Sequence, residues 1–261
     1  MAEVGAVYDL APAARTAADV LATGGGGETK RPRAKAKWVT ASVSDDAAEV
    51  IAQVFDEAER RDPLQQRQWI VLVDGNRHQI DCIRTEADRR HLHVIIVCDF
   101  VHVLEYLWAA AWCFFTEADP AAEQWVQERA FAVLTGHAAD VAAGIRRRAT
   151  ATGLTNTKRR KADACARYLI NQARYLDYPT ALAAGWPIAT GVIEGACRHL
   201  VKDRMDITGA RWGVDGAETV LKLRAIRING DLDTYWTYHL QQERHRNHEA
   251  RYQTGTIPRA A

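Results

Sequence analysis

Two short runs constrain this chain more than anything else in it: Trp69-Ile-Val-Leu-Val-Asp74 and His93-Val-Ile-Ile-Val-Cys-Asp99. Each is β-branched, apolar without alternation, and closed by an aspartate. A strand apolar on both sides is covered on both faces, which is the habit of parallel strands with helical crossovers. Asn76 to Arg90 carries a helical pattern and supplies such a crossover. Upstream, Val4 to Leu10 and Trp38 to Val43 read as strands. Ser44-Asp45-Asp46 then caps a helix with Val50, Ile51, Val54 and Phe55 on one face. Strands alternating with helices in this way predict an α/β sheet with parallel members.

After Phe100 the strands stop. Val103 to Phe115, Ala121 to Arg148, Lys161 to Ala184, Val192 to Met205 and Gly213 to His239 each show helical periodicity. Lys+Arg (34) and Asp+Glu (33) leave a net charge of +1, which gives no support to a strongly basic chromatin-type protein. With 48% hydrophobic and 26% charged residues, disordered and collagen-like classes are excluded. Cys82, Cys98, Cys113, Cys165 and Cys197 are scattered with no Cys-x-x-Cys pair, the usage of a reducing compartment. The longest apolar stretch, Leu107 to Phe115, is about half the ~20 residues of a membrane span. The expectation is a soluble cytoplasmic protein.

Several residues stand where chemistry could occur. Asp74 ends a buried strand, where open α/β sheets place ligands; its plainer role is to cap the next helix. Asp99 repeats the arrangement, and His102 shares a helix face with it if a helix begins there. That pair reads either as metal ligands or as an N-cap with a satisfied His. Glu194 sits between Gly191 and Gly195, which lower helix propensity beside a carboxylate. An ion pair with Arg198 would explain it as a structural residue. Beyond it gather Arg198, Lys202, Arg204 and Arg211, with Trp212 beside the last, a set suited to phosphates. Arg146-Arg147-Arg148 and Lys158-Arg159-Arg160-Lys161 are a weaker signal, by default a solvated loop. The Gly24–Gly27 loop is no Walker A, because no Gly-Lys-Ser/Thr closes it. Trp108 and Trp112 read as core rather than as a base-stacking platform.

Val73-Asp74-Gly75, Cys98-Asp-Phe-Val-His102, Gly191-Val-Ile-Glu-Gly-Ala-Cys-Arg-His199, Arg204-Met205 and Gly209-Ala-Arg-Trp212 together resemble bacterial insertion-sequence transposases of the ISKra type, related to the Mutator-like enzymes. The resemblance runs from Met1 to about Tyr238. It implies an RNase H-like mixed-sheet core with a large helical insertion and C-terminal helices. The implied divisions are an α/β part over 1–102, a helical insertion over 103–184, C-terminal helices over 185–240 and a polar tail over 241–261. Asp74 matches the family's second catalytic Asp and Glu194 its terminal Glu. Both would hold Mg²⁺ or Mn²⁺ for two-metal cleavage and strand transfer. Asp99 and His102 match a supporting signature on the neighbouring strand. DNA is the implied partner, bound by Arg198, Lys202, Arg204, Arg211 and Trp212, with a homo-oligomer assembling on transposon ends in the nucleoid. The family's first catalytic Asp belongs to a strand ahead of the segment matching Met1 to Leu10. These residues are therefore expected to lack the first strand, and not to cut DNA alone. Two other readings stand beside this one: a non-catalytic DNA-binding remnant, and a metal-dependent phosphohydrolase.

Overall fold

A computed structural model describes residues 2–22, 33–189, 191–207 and 209–250. The Gly24–Gly27 loop and residues 251–261 of the tail lie outside them. Strand β1 (Glu3–Leu10) is followed by the short helix α1 (Ala17–Leu21) and by β2 (Ala34–Ser42). β1 and β2 pair antiparallel, with Val4 opposite Ala41 and Ala6 opposite Val39. The outward N–H and C=O of Val39 are met by the side-chain amide of Asn229, at 2.8 and 3.0 Å. That contact satisfies the far edge of β2 where a further strand would otherwise pair.

Helix α2 (Ala47–Arg61) starts at an Asp46 cap completed by Glu49, and buries Val50 and Phe55. Then come β3 (Trp69–Val73), α3 (Arg77–Arg89) and β4 (Val94–Cys98). β3 and β4 are parallel, with Val73 opposite Cys98, and α3 is the crossover. The fold is α/β, but among the described residues its strands form two separate two-stranded sheets and not one mixed sheet.

The helical part follows as α4 (Phe100–Ala111), α5 (Pro120–Leu134), α6 (Ala138–Ala151), α7 (Asn156–Asn171) and α8 (Tyr178–Ala183). The expected single helix from Ala121 to Arg148 is two, broken at Gly136 and His137. The expected Lys161–Ala184 helix starts early, at Asn156, and stops at Asn171, where a 3₁₀ turn leads to the proline-initiated α8. Consequently Lys158 to Lys161 are helical, not loop residues. Helix α9 (Gly191–Ala196) runs into a π-helical turn (Cys197–Lys202) and α10 (Asp203–Met205). α11 (Val214–Asn229) and α12 (Leu232–Arg244) close the chain, separated at Gly230, and a second π turn continues to Glu249, inside the expected tail.

Burial divides the molecule into two cores. The larger joins β3 and β4 to α3–α8, through fully buried Val103, Leu107, Ile145, Leu169 and Tyr178. The smaller joins β2 to α9, the π turn and α11, through Val39, Ala41, Ala196, Leu200, Leu221 and Ala225. The helices of the expected insertion thus share the larger core with β3 and β4.

A candidate catalytic cleft and its carboxylates

Between the two sheets lies a cleft of about 740 Å³. One wall is β1 along its whole length and the other is all of β3; α2 lines it with Val50, Ile51, Val54 and Phe55. β4 contributes no residue to it, and β2 only Lys35. Among the described residues β1 pairs only with β2 and β3 only with β4, so each has an edge without a strand partner. A strand occupies about 3.3 Å of length, 4.8 Å of width and 10 Å of sheet thickness per residue, or ~160 Å³. The cleft has room for about five such residues, the length of β3 itself.

Asp74 and Glu194 do not line this cleft themselves. Their immediate predecessors, Val73 and Ile193, both line it, and both carboxylates are exposed. Asp74 Oδ1 accepts from the Asn76 backbone N–H at 2.7 Å, while Asn76, not Asp74, caps α3. The corner after Asp74 is clamped by α7. Tyr168 donates its hydroxyl to the Asp74 carbonyl at 2.9 Å, and Gln172 donates to the Gly75 carbonyl at 2.8 Å. Tyr168 is itself held by stacking on Tyr106, with ring centres 4.2 Å apart.

Asp99 stands beside Asp74, because the parallel register puts Cys98 opposite Val73 and the Asp99 N–H donates to the Val73 carbonyl at 2.7 Å. Asp99 is buried and caps α4, accepting from Val101 N–H at 2.7 Å. Both aspartates are felt by their surroundings. Burial pushes the Cys98 thiol up to about 11, and the charges of Asp74 and Asp99 add to it. Burial, then the Asp99 charge, pushes the Tyr8 hydroxyl up to about 12. His102 follows in the first turn of α4, but its Nδ1 meets Glu105 at 2.7 Å, which satisfies the ring locally.

The Glu194 end is set by packing. Ala196 and Leu200 bury one side of α9 and the π turn against β2 and α11, leaving Glu194, Arg198 and Lys202 outside. No ion pair joins Glu194 to Arg198 among the described residues. Burial raises the Cys197 thiol, Lys202 opposes that shift, and Glu194 adds to it. π turns of this kind recur at functional sites, where one extra residue redirects the side chains that follow. Arg198, Lys202, Arg204 and Arg211 are all exposed, and Arg204 lies over the half-buried Trp212 ring at 5.6 Å. Trp212 Nε1 is buried with no hydrogen-bond partner among the described residues.

Asp9, the only acidic residue on β1 besides Glu3, belongs to the other end of the cleft. It pairs with Arg67 at 2.9 Å and Arg61 at 3.6 Å. Arg67 precedes β3 whereas Asp74 follows it, so about 17 Å of strand separates the two positions. Trp108 and Trp112 stack on each other at 5.3 Å, with Trp108 against the larger core and Trp112 exposed. No helix among the described residues is long and apolar enough to cross a membrane. No family model, curated protein or solved structure matches this chain.

Proposed function

We propose that this chain is a DDE-type DNA transposase with an RNase H-like core. The observation that carries the reading is the strand-sized cleft whose lining includes Val73 and Ile193, the residues just before Asp74 and Glu194. The resemblance puts one more strand, bearing the first catalytic Asp, ahead of β1. The cleft supplies a place for such a strand between two open edges. Separate two-stranded sheets are marginal by themselves, and one inserted strand would join them. Lying between β1 and β3, it would also bring its own carboxylate towards Asp74.

Two-metal strand cleavage needs ligands for two cations about 3.5–4 Å apart. Among the described residues, no group of three or more His, Cys, Asp and Glu is arranged to hold a metal ion. What these residues do is narrower. The Tyr168–Gln172 clamp fixes Asp74 at the strand end, Asp99 holds the start of α4 beside it, and the π turn directs basic side chains outward next to Glu194. The basic side chains suit the phosphates of DNA.

The test is a cleavage assay with Mg²⁺ or Mn²⁺ on duplexes carrying the element's ends, with this chain and with one extended by the preceding codons. The extended protein is expected to cleave, and Asp74→Asn or Glu194→Gln to abolish cleavage in it. An extended protein that cleaves equally well with both substitutions would refute the assignment. The exposed Arg198, Lys202, Arg204 and Arg211 also suit a second reading, a DNA-binding remnant without catalysis. It predicts duplex binding by both proteins and cleavage by neither.

A further inference from the structure

The seven basic residues Arg146–Arg148 and Lys158–Lys161 divide sharply once folded. Arg148 is withdrawn: its guanidinium lies over Phe115 at 4.6 Å, Phe114 at 4.8 Å and Trp125 at 5.8 Å. Arg159 is paired with Asp163 at 2.9 Å. The other five, Arg146, Arg147, Lys158, Arg160 and Lys161, are exposed, and none meets a carboxylate among the described residues. Their positions bring them together, because α6 and α7 form an antiparallel hairpin whose connection is only Thr152 to Thr155. Arg146 and Arg147 occupy the last turns of α6, and Lys158, Arg160 and Lys161 the first turns of α7.

That placement is unfavourable for the helix itself. The start of α7 has no acidic residue in its first turn and no side-chain cap, yet carries cations at the positive end of its dipole. Apart from the Arg159–Asp163 pair, no ion pair among the described residues offsets this charge. An external polyanion would.

We infer that the open end of the α6–α7 hairpin is a docking face for the phosphate backbone of duplex DNA, separate from the basic residues around Glu194. Helices packed side by side have axes 8–10 Å apart. Lys158 and Lys161, three apart, share a face of α7, and Arg146 and Arg147 stand on the adjacent helix across the short connection, so their charges can reach neighbouring phosphates of one duplex. Single strands are bound through stacking aromatics, and membrane surfaces through apolar anchors. The tip Thr150-Ala-Thr-Gly-Leu-Thr-Asn-Thr157 has no aromatic residue, and its one large apolar side chain, Leu154, is half-buried against the larger core. The hairpin thus holds duplex without reading its sequence.

The experiment uses the full chain in EDTA, so that binding is read apart from cleavage, with a 30-bp duplex of arbitrary sequence over a salt series. One variant replaces Arg146, Arg147, Lys158, Arg160 and Lys161 with Gln. A control replaces five exposed basic residues elsewhere: Arg33, Lys37, Arg77, Arg227 and Arg246. The hairpin variant should bind at least about tenfold more weakly at 100 mM salt. Its plot of log K against log salt should be shallower by about 0.9 for each phosphate that is no longer neutralised. The control should stay within about threefold of the wild type. Equal losses in both variants would reduce the effect to net charge and overturn the inference. So would a wild type that ignores duplex but binds vesicles of anionic lipid. Circular dichroism checks that each variant is folded; were the fivefold variant unfolded, Arg146→Gln/Arg147→Gln and Lys158→Gln/Lys161→Gln would each have to show a partial loss. Failure here leaves the cleavage reading standing, and failure of that reading leaves this face standing.

Discussion

Gly75 gives the sharpest test of how the Asp74 corner is built. Its φ of +93° is a conformation that side-chain-bearing residues rarely adopt, and an added Cβ would stand 2.9 Å from Tyr168 Cε2 and 3.2 Å from its hydroxyl. The left-handed conformation alone costs a non-glycine residue about 1–2 kcal/mol. The Tyr168 ring is confined by its stack on Tyr106 and by burial, so it relieves the clash only by moving away from the corner. That movement weakens the bonds to the Asp74 and Gly75 carbonyls, each with a net contribution of about 0.5–1.5 kcal/mol. Gly75→Ala is therefore expected to destabilise the protein by roughly 2–5 kcal/mol. Gly153 provides the internal comparison. It too has a positive φ, +62°, but a Cβ there meets nothing within 4 Å, so Gly153→Ala should cost only the conformational share, about 1–2 kcal/mol. Urea unfolding followed by far-UV circular dichroism, at matched m-values, measures both. Equal midpoints for the two variants would refute the argument, since the clamp from α7 would then contribute nothing.

Three further outcomes follow from the same structure. Arg89 first, and then Arg90, hold the Glu86 carboxyl down at about 2 against an ordinary 4.5. A depressed carboxyl stabilises the fold above its unfolded value, so this share, roughly 2 kcal/mol after screening, is present above pH 4.5 and lost as pH falls towards 2. Wild type and Glu86→Gln should converge in stability over that window, and parallel curves would contradict it. Burial pushes the Cys98 thiol up to about 11 and the Cys165 thiol up to about 12, and both are fully inaccessible. A thiol reagent at pH 8 should therefore modify at most Cys82, Cys113 and Cys197 in the native protein, and all five cysteines in denaturant. Arg204→Ala with Arg211→Ala should weaken binding to every duplex alike while the protein stays folded, because both side chains are exposed. Loss of folding would make the two arginines structural.

How much of this was legible in the sequence varies with the range of the interaction. β3 and β4 were visible as β-branched runs, and their parallel pairing followed from the crossover between them. Asp74 and Asp99 are neighbours for that reason alone. Local chemistry was only half legible: Asp99 does cap a helix, but His102 chose Glu105, which the spacing of Asp99 and His102 does not reveal. The helix breaks at Gly136 and Gly230 lay inside continuous periodic patterns, since one glycine does not interrupt an apolar stripe. The π turn has no composition signal of its own. The division of the seven basic residues into five free, one paired and one stacked depends on Phe114, Phe115 and Trp125 arriving from another part of the chain. Nor could periodicity show that β1 and β3 would each keep an unpaired edge.

The separation of the two cores bears on how the molecule opens. The smaller core rests on six buried side chains around β2, α9 and α11, whereas the larger runs through β3, β4 and α3–α8. Cooperative units of such unequal burial release their amides at different free energies. Amides of β2 and α11 will exchange through a partial opening that leaves α4 and α7 protected, and the cleft is the seam along which that opening begins. Bridging the seam with one strand would fuse the two units into a single one, so the spread in amide protection is itself a measure of whether the gap is filled.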